Sequence, residues 1–106
     1  MKSQEKRTEG ALSPEFLEKM ADRLKTLAPP QRLRIIELLE SAPEAPVHAI
    51  MEALDVPQAT ASHHLSRMRR AGLIGASRRG KEIWYRIADP DSLTILNCIR
   101  KKGKNA

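Results

Sequence analysis

Cysteine is all but missing. Cys98 is the only one in 106 residues, so no intrachain disulfide framework exists to staple a fold, and a reducing, cytoplasmic setting is expected. Aromatic residues are nearly as scarce, one each of Trp, Tyr and Phe, so the core has to be built from Leu, Ile, Met, Val and Ala. No apolar run approaches the roughly 20 residues that a membrane-spanning helix needs. Met1 to Gly10 is polar and charged with no apolar centre, unlike a secretory signal. There is no glycine-rich phosphate loop and no pair of carboxylates in an apolar setting, so nothing is present to hold and turn over a substrate. Neither an enzyme nor a cofactor is expected.

What is abundant is positive charge. Nineteen Lys and Arg against thirteen Asp and Glu give a formal net charge of +6, which favours an anionic partner, either nucleic acid or a membrane surface. One domain is the default for this length, and its small size would gain stability from an oligomer interface.

The stretch from Gln58 to Ile74 organises the chain. At helical period Ala61, Leu65 and Met68 share one face, and Gly72 then ends the helix, since a residue without Cβ turns left-handed at little cost. The other faces carry Gln58, Thr60, Ser62, His63, Ser66, Arg67 and Arg70, without one carboxylate. Short polar groups can reach base edges and arginines can hold phosphates. Taken alone, the stretch also fits the solvated face of an ordinary helix. A peripheral membrane helix would need large apolar residues opposite the basic face, and this one offers only Ala, Leu and Met.

The neighbouring segments decide. Residues 1–12 read as a flexible polar tail. Ser13 and Pro14 open a first helix carrying Leu17, Met20, Ala21, Leu24, Leu27 and Ala28 at helical spacing. Pro29-Pro30 ends it and starts a second, apolar on a broad face through Leu33, Ile35, Ile36, Leu38 and Leu39. Ser41 to Pro46 reads as a turn, and Val47, Ile50, Met51 and Leu54 as a short third helix. Asp55-Val56-Pro57 is a tight break before the polar-faced helix, which completes a helix-turn-helix pattern. The period then changes to two: Ile83, Tyr85 and Ile87 alternate with Glu82, Trp84 and Arg86, after a basic turn at Arg78-Arg79-Gly80-Lys81. A last helix follows Asp89-Pro90-Asp91, and residues 103–106 are expected to fray. The predicted fold is mainly α (α+β): a winged helix-turn-helix of about five helices with a two-stranded hairpin wing, spanning 13–102.

Three segments in this order, Leu27 to Ile36, Ser62 to Ile74 and Arg79 to Ile87, closely resemble the ArsR/SmtB family of bacterial winged-helix repressors. The resemblance covers about residues 15 to 100. It implies a homodimer joined through its first and last helices, binding a pseudo-palindromic double-stranded DNA operator and repressing transcription. The chain departs from the family where Pro29 replaces an acidic cap before the second helix. It also lacks the cysteine pair that many metal sensors carry near Val47. Asp89 to Ala106 holds no histidine for the zinc site that others place on the last helix. With Cys98, His48, His63 and His64 as the remaining soft ligands, no metal site of a family type is expected.

The DNA-binding residues expected are Gln58, Thr60, Ser62, His63 and Arg67 in the helix and Arg78, Arg79 and Lys81 in the wing. Ser62 reads equally as a hydrogen bond internal to the motif, and His64 reads as a packing histidine. Cys98 is either a small residue packed in the dimer interface or a redox switch, since a two-fold axis can bring two equivalent thiols together. A winged helix used for protein assembly or RNA binding is the alternative function.

Overall fold

Ser13 caps the first helix: its Oγ accepts the Phe16 N–H at 3.2 Å, and Pro14 occupies the first turn, where a missing N–H costs nothing. The computed structural model describes residues 10–104; the first nine residues of the expected tail, with Asn105 and Ala106, lie outside the described residues. Five helices and three strands follow: α1 (Pro14–Leu27), α2 (Pro30–Ser41), β1 (Ala45–Pro46), α3 (Val47–Leu54), α4 (Gln58–Arg70), β2 (Ile74–Arg79), β3 (Glu82–Ile87) and α5 (Asp91–Lys104).

Pro29 stands at the cap of α2 and has no side chain to offer. Its carbonyl instead takes the N–H groups of Arg32 and Leu33, at 2.9 and 3.2 Å. From α2, Ile35, Ile36 and Leu39 enter a core that also holds Ile50, Ala61, Leu65, Met68, Leu73, Ile74, Tyr85 and Leu96. Full burial stabilises by about 1.5–3 kcal/mol per large apolar side chain, and α4 is docked by two of these, Leu65 and Met68, with the small Ala61 beside them, all at 0 % exposure.

Asp55 takes the left-handed conformation (φ 55°) that turns the chain from α3 into α4, one that the short polar Asp tolerates. At the other end of α4, Gly72 (φ 80°) allows two closing bonds, Gly72 N–H to Arg69 O and Leu73 N–H to Met68 O, both 3.0 Å. This Schellman closure returns the chain directly into β2.

β2 and β3 pair from Ile74↔Ile87 to Arg79↔Glu82. Gly80 (φ 62°) and Lys81 are left as a two-residue turn, with glycine at the first position as a type II′ hairpin requires. The sheet has three strands rather than the two expected, in the order β1-β3-β2. Ala45 and Pro46, read from sequence as part of a turn, pair with Tyr85 and Trp84. Two residues carry no periodic signal, and proline is tolerated because this strand is an edge. α5 runs on past the basic residues Arg100 to Lys102 through Gly103 to Lys104. Among the described residues no helix is long and apolar enough to cross a membrane.

Candidate nucleic-acid interface

With Ala61, Leu65 and Met68 turned into the core, helical geometry sets Ala59, His63, Ser66 and Arg70 directly opposite, in steps of four, three and four. All four are exposed, and Ser62 and Arg67 flank the row, also exposed. Gln58 is exposed in the first turn and Thr60 is half-buried beside it. The structure thus brings the expected reading residues onto one side of one helix, with Thr60 at the margin. Ser66, Arg70 and Ala59 belong to the outermost row; the sequence put Ser66 and Arg70 on the polar faces but not among the expected DNA contacts, and the period that placed Leu65 inside places all three outside.

The electrostatics of this side are one-signed. Arg67, Arg69 and Arg70 are exposed and, among the described residues, none forms an ion pair. The first turn of α4 contains no acid, and Pro57 ahead of it offers no side-chain cap. The leading N–H groups of this 13-residue helix therefore face outward without a side-chain partner, which suits an anion such as a phosphate.

The wing divides its basic residues between two jobs. Arg78 and Lys81 are exposed at the turn and free of carboxylate partners among the described residues; Arg78 Nε reaches only the Gly80 carbonyl, at 3.3 Å. Arg79 is engaged. It pairs with Glu44, and its guanidinium carbon lies 4.7 Å from the centre of the Trp84 ring, a stacked cation–π arrangement. His48 Nδ1 lies 3.5 Å from Glu82 Oε2, a second contact between the wing and the segment leading through α3. Arg86 donates to Ser77 Oγ across the hairpin at 2.9 Å. Arg79, expected at the DNA backbone, is thus paired with Glu44 and stacked on Trp84 while its side chain stays 53 % exposed.

Changing Arg78 and Lys81 together to alanine is expected to weaken binding to specific and random duplex alike. Each lost phosphate contact should flatten the log–log salt dependence by about one unit. Adding Arg79→Ala should cost wing order, seen as faster amide exchange in β2 and β3, more than it costs salt slope. An unchanged slope in the double variant would remove the wing from the backbone contacts.

His64 points inward from the same helix and is half-buried. Its Nδ1 accepts from Arg32 Nε at 2.9 Å, and its Nε2 lies 2.5 Å from Gln31 Oε1. Burial, then the Arg32 charge, then His63 hold its pKa below the usual 6.5. Among the described residues no three His, Cys, Asp or Glu side chains gather as a metal site would require. Cys98 is exposed on α5.

A second exposed surface is apolar. Phe16, Leu17 and Leu24 on α1 and Ile99 on α5 are exposed at 44, 50, 51 and 45 %. Leu24, Leu27, Ala28, Leu33, Ile95 and Ile99 line a groove between these two helices.

Comparison with known proteins agrees with this architecture. The profile described as "Bacterial regulatory protein, arsR family" matches residues 29–75. The HTH-type transcriptional repressor SmtB of Mycobacterium tuberculosis is 33 % identical over 93 residues, covering 87 % of this chain and 68 % of that protein. The transcriptional repressor PagR of Bacillus anthracis is 40 % identical over 83 residues, covering 78 % of this chain and 83 % of its own. The solution structure of a homodimeric winged helix-turn-helix DNA-binding domain from Mycobacterium bovis superposes with a TM-score of 0.75 at 31 % identity, covering 90 % of each chain.

Proposed function

From the premise that the chain belongs to the arsR family of bacterial regulatory proteins, we propose that it is a homodimeric repressor whose α4 reads the major groove of a two-fold symmetric operator. It is a transcriptional regulator and not an enzyme. Residues 13–102 act as one DNA-binding and dimerisation unit. Gln58, Ser62, His63 and Arg67, with Ser66 and Arg70 from the outer row, face bases and phosphates; Thr60 borders them. Arg78 and Lys81 hold the flanking backbone. The observation that carries the reading is the carboxylate-free exposed side of α4, continuous with a basic wing and remote in character from the apolar α1–α5 surface. That apolar surface is where the second copy docks. A winged helix devoted to protein assembly would have no need of a carboxylate-free side with three arginines that form no ion pair among the described residues, and one devoted to RNA would bind without dependence on half-site spacing.

The test is selection from random duplex DNA by the purified protein. A two-fold symmetric sequence with half-sites about 10 base pairs apart, or a multiple of that, is the expected product. Enrichment of no sequence, or of a single unrepeated site, would contradict the reading. Against the selected duplex, Ser62→Ala or His63→Ala should cost roughly 1–3 kcal/mol if the residue meets a base edge, with a much smaller loss on random DNA. Equal losses on both would move the residue to the phosphate contacts.

For the signal, we infer a response through Cys98 rather than through a metal of the family's usual types. The thiol is exposed on α5, the helix that carries Ile99. An interchain disulfide, or oxidation to a sulfenic acid, would alter how two copies meet. Operator affinity of the wild type should change between reductant and mild peroxide, while Cys98→Ser should not respond, and zinc should leave both unchanged. A Cys98→Ser protein that responds as the wild type does would refute the switch.

A further inference from the structure

From its place on α2, Arg32 bonds to two other helices at once. Nη1 donates to the Thr26 carbonyl in the last turn of α1 at 3.0 Å, and Nε donates to His64 Nδ1 on α4 at 2.9 Å. All the side chains involved, Gln31, Arg32 and His64, are half-buried. Within the chain α1 buries only Leu27, so little apolar packing fixes α1 against α4, and the polar bridge supplies a directional tie between them.

We propose that the Arg32–His64 bridge is a positioning latch that sets the pitch of the reading helix relative to α1, and with it the separation at which two copies present their readers to DNA. The proposal rests on the dimeric, operator-binding reading above. The geometry that supports it is directional. A guanidinium is planar and its donors are fixed in a fork, so satisfying Thr26 O and His64 Nδ1 together narrows the placements of α4 against the end of α1 that the core packing of Leu65 and Met68 allows.

The latch needs a neutral ring. Nδ1 must offer a lone pair to Arg32, which assigns the ring proton to Nε2, facing Gln31 Oε1. A second proton can enter only at Nδ1. There it would meet the Arg32 Nε–H, donor against donor and cation against cation. The charged groups around His64 are Arg32 from α2 and, on its own helix, His63; Arg67 also bears on Arg32. From α1 the bridge meets the Thr26 carbonyl, and among the described residues no carboxylate is bonded to His64. The sign follows. The histidine is held below 6.5 in the latched fold, so the bridge is complete above that value and is lost as pH falls through the latched pKa.

The test uses the full chain and the selected operator at its preferred half-site spacing, and with one base pair added or removed. Affinities are measured at about pH 7.5, where the ring is neutral, and at an acid pH at which nitrogen NMR shows the His64 imidazole protonated. The wild type should prefer its native spacing, and that preference should shrink by about fivefold or more in acid. His64→Gln keeps a neutral acceptor and donor and cannot titrate, so its spacing preference should persist at both pH values. Arg32→Ala should show the weakened preference at both. A wild-type preference that ignores pH, a His64→Gln protein that follows the wild type, or an Arg32→Ala protein with undiminished preference would each overturn the latch. Failure to prefer any duplex over random DNA would instead sink the function reading. In that event nitrogen NMR of the imidazole decides: the latch requires the Nε2–H tautomer, titrating below 6.5, with α4 amide shifts that follow it in the wild type and vanish in His64→Gln. A ring that titrates normally with α4 unmoved would refute it.

Discussion

Leu24→Glu combined with Ile99→Glu is expected to give a folded monomer that has lost operator binding by roughly 10²–10⁴-fold. Both side chains are about half exposed in the single chain, at 51 and 45 %, and both line the groove between α1 and α5. Charge there should cost the protomer little, because neither residue belongs to the buried core. In a dimer the same positions would be covered, and two uncompensated carboxylates per copy in a dry interface are strongly unfavourable. The loss in DNA affinity is the loss of linkage: with two readers joined, binding of the second half-site is intramolecular, and with one reader it is not. Sedimentation and circular dichroism separate the two effects. A native spectrum with a monomer mass and weak binding is the expected set. A double variant that remains dimeric would move the interface away from α1 and α5.

The parts of the fold legible in the sequence are those with a local physical signature. Ser13 ahead of Pro14, the paired prolines at 29 and 30, and Gly72 after an apolar stripe each mark a boundary through backbone chemistry, and each boundary lies where that chemistry puts it. The hairpin was legible because alternation around Tyr85 and the glycine at 80 agree. β1 was not: Ala45 and Pro46 become a strand only because β3 lies beside them, and two residues cannot show a period.

The same distinction divides the site. The period of α4 placed its exposed residues, including Ser66 and Arg70, which deserved equal weight with Ser62 and His63 on that ground alone. Contacts across long sequence separations were invisible. Nothing near Arg79 announces Glu44, and nothing near His64 announces Arg32, so neither partner could be read from the sequence. Composition showed a basic protein, and only the ion pairs show which basic residues remain uncompensated among the described residues.

In the proposed dimer, two copies of α4 read two half-sites held at a fixed separation on one face of the duplex. Inserting five base pairs between the half-sites turns one of them by about half a turn, so a dimer that grips one half-site faces away from the other. Titration of the protein against the selected operator and the inserted duplex, at one fixed salt concentration, measures this directly. Affinity for the inserted duplex is expected to fall to that of a single half-site, a loss on the order of 10²–10⁴-fold, and inserting ten base pairs should recover part of it. Equal affinity for the native and five-base-pair duplexes would contradict the dimeric reader.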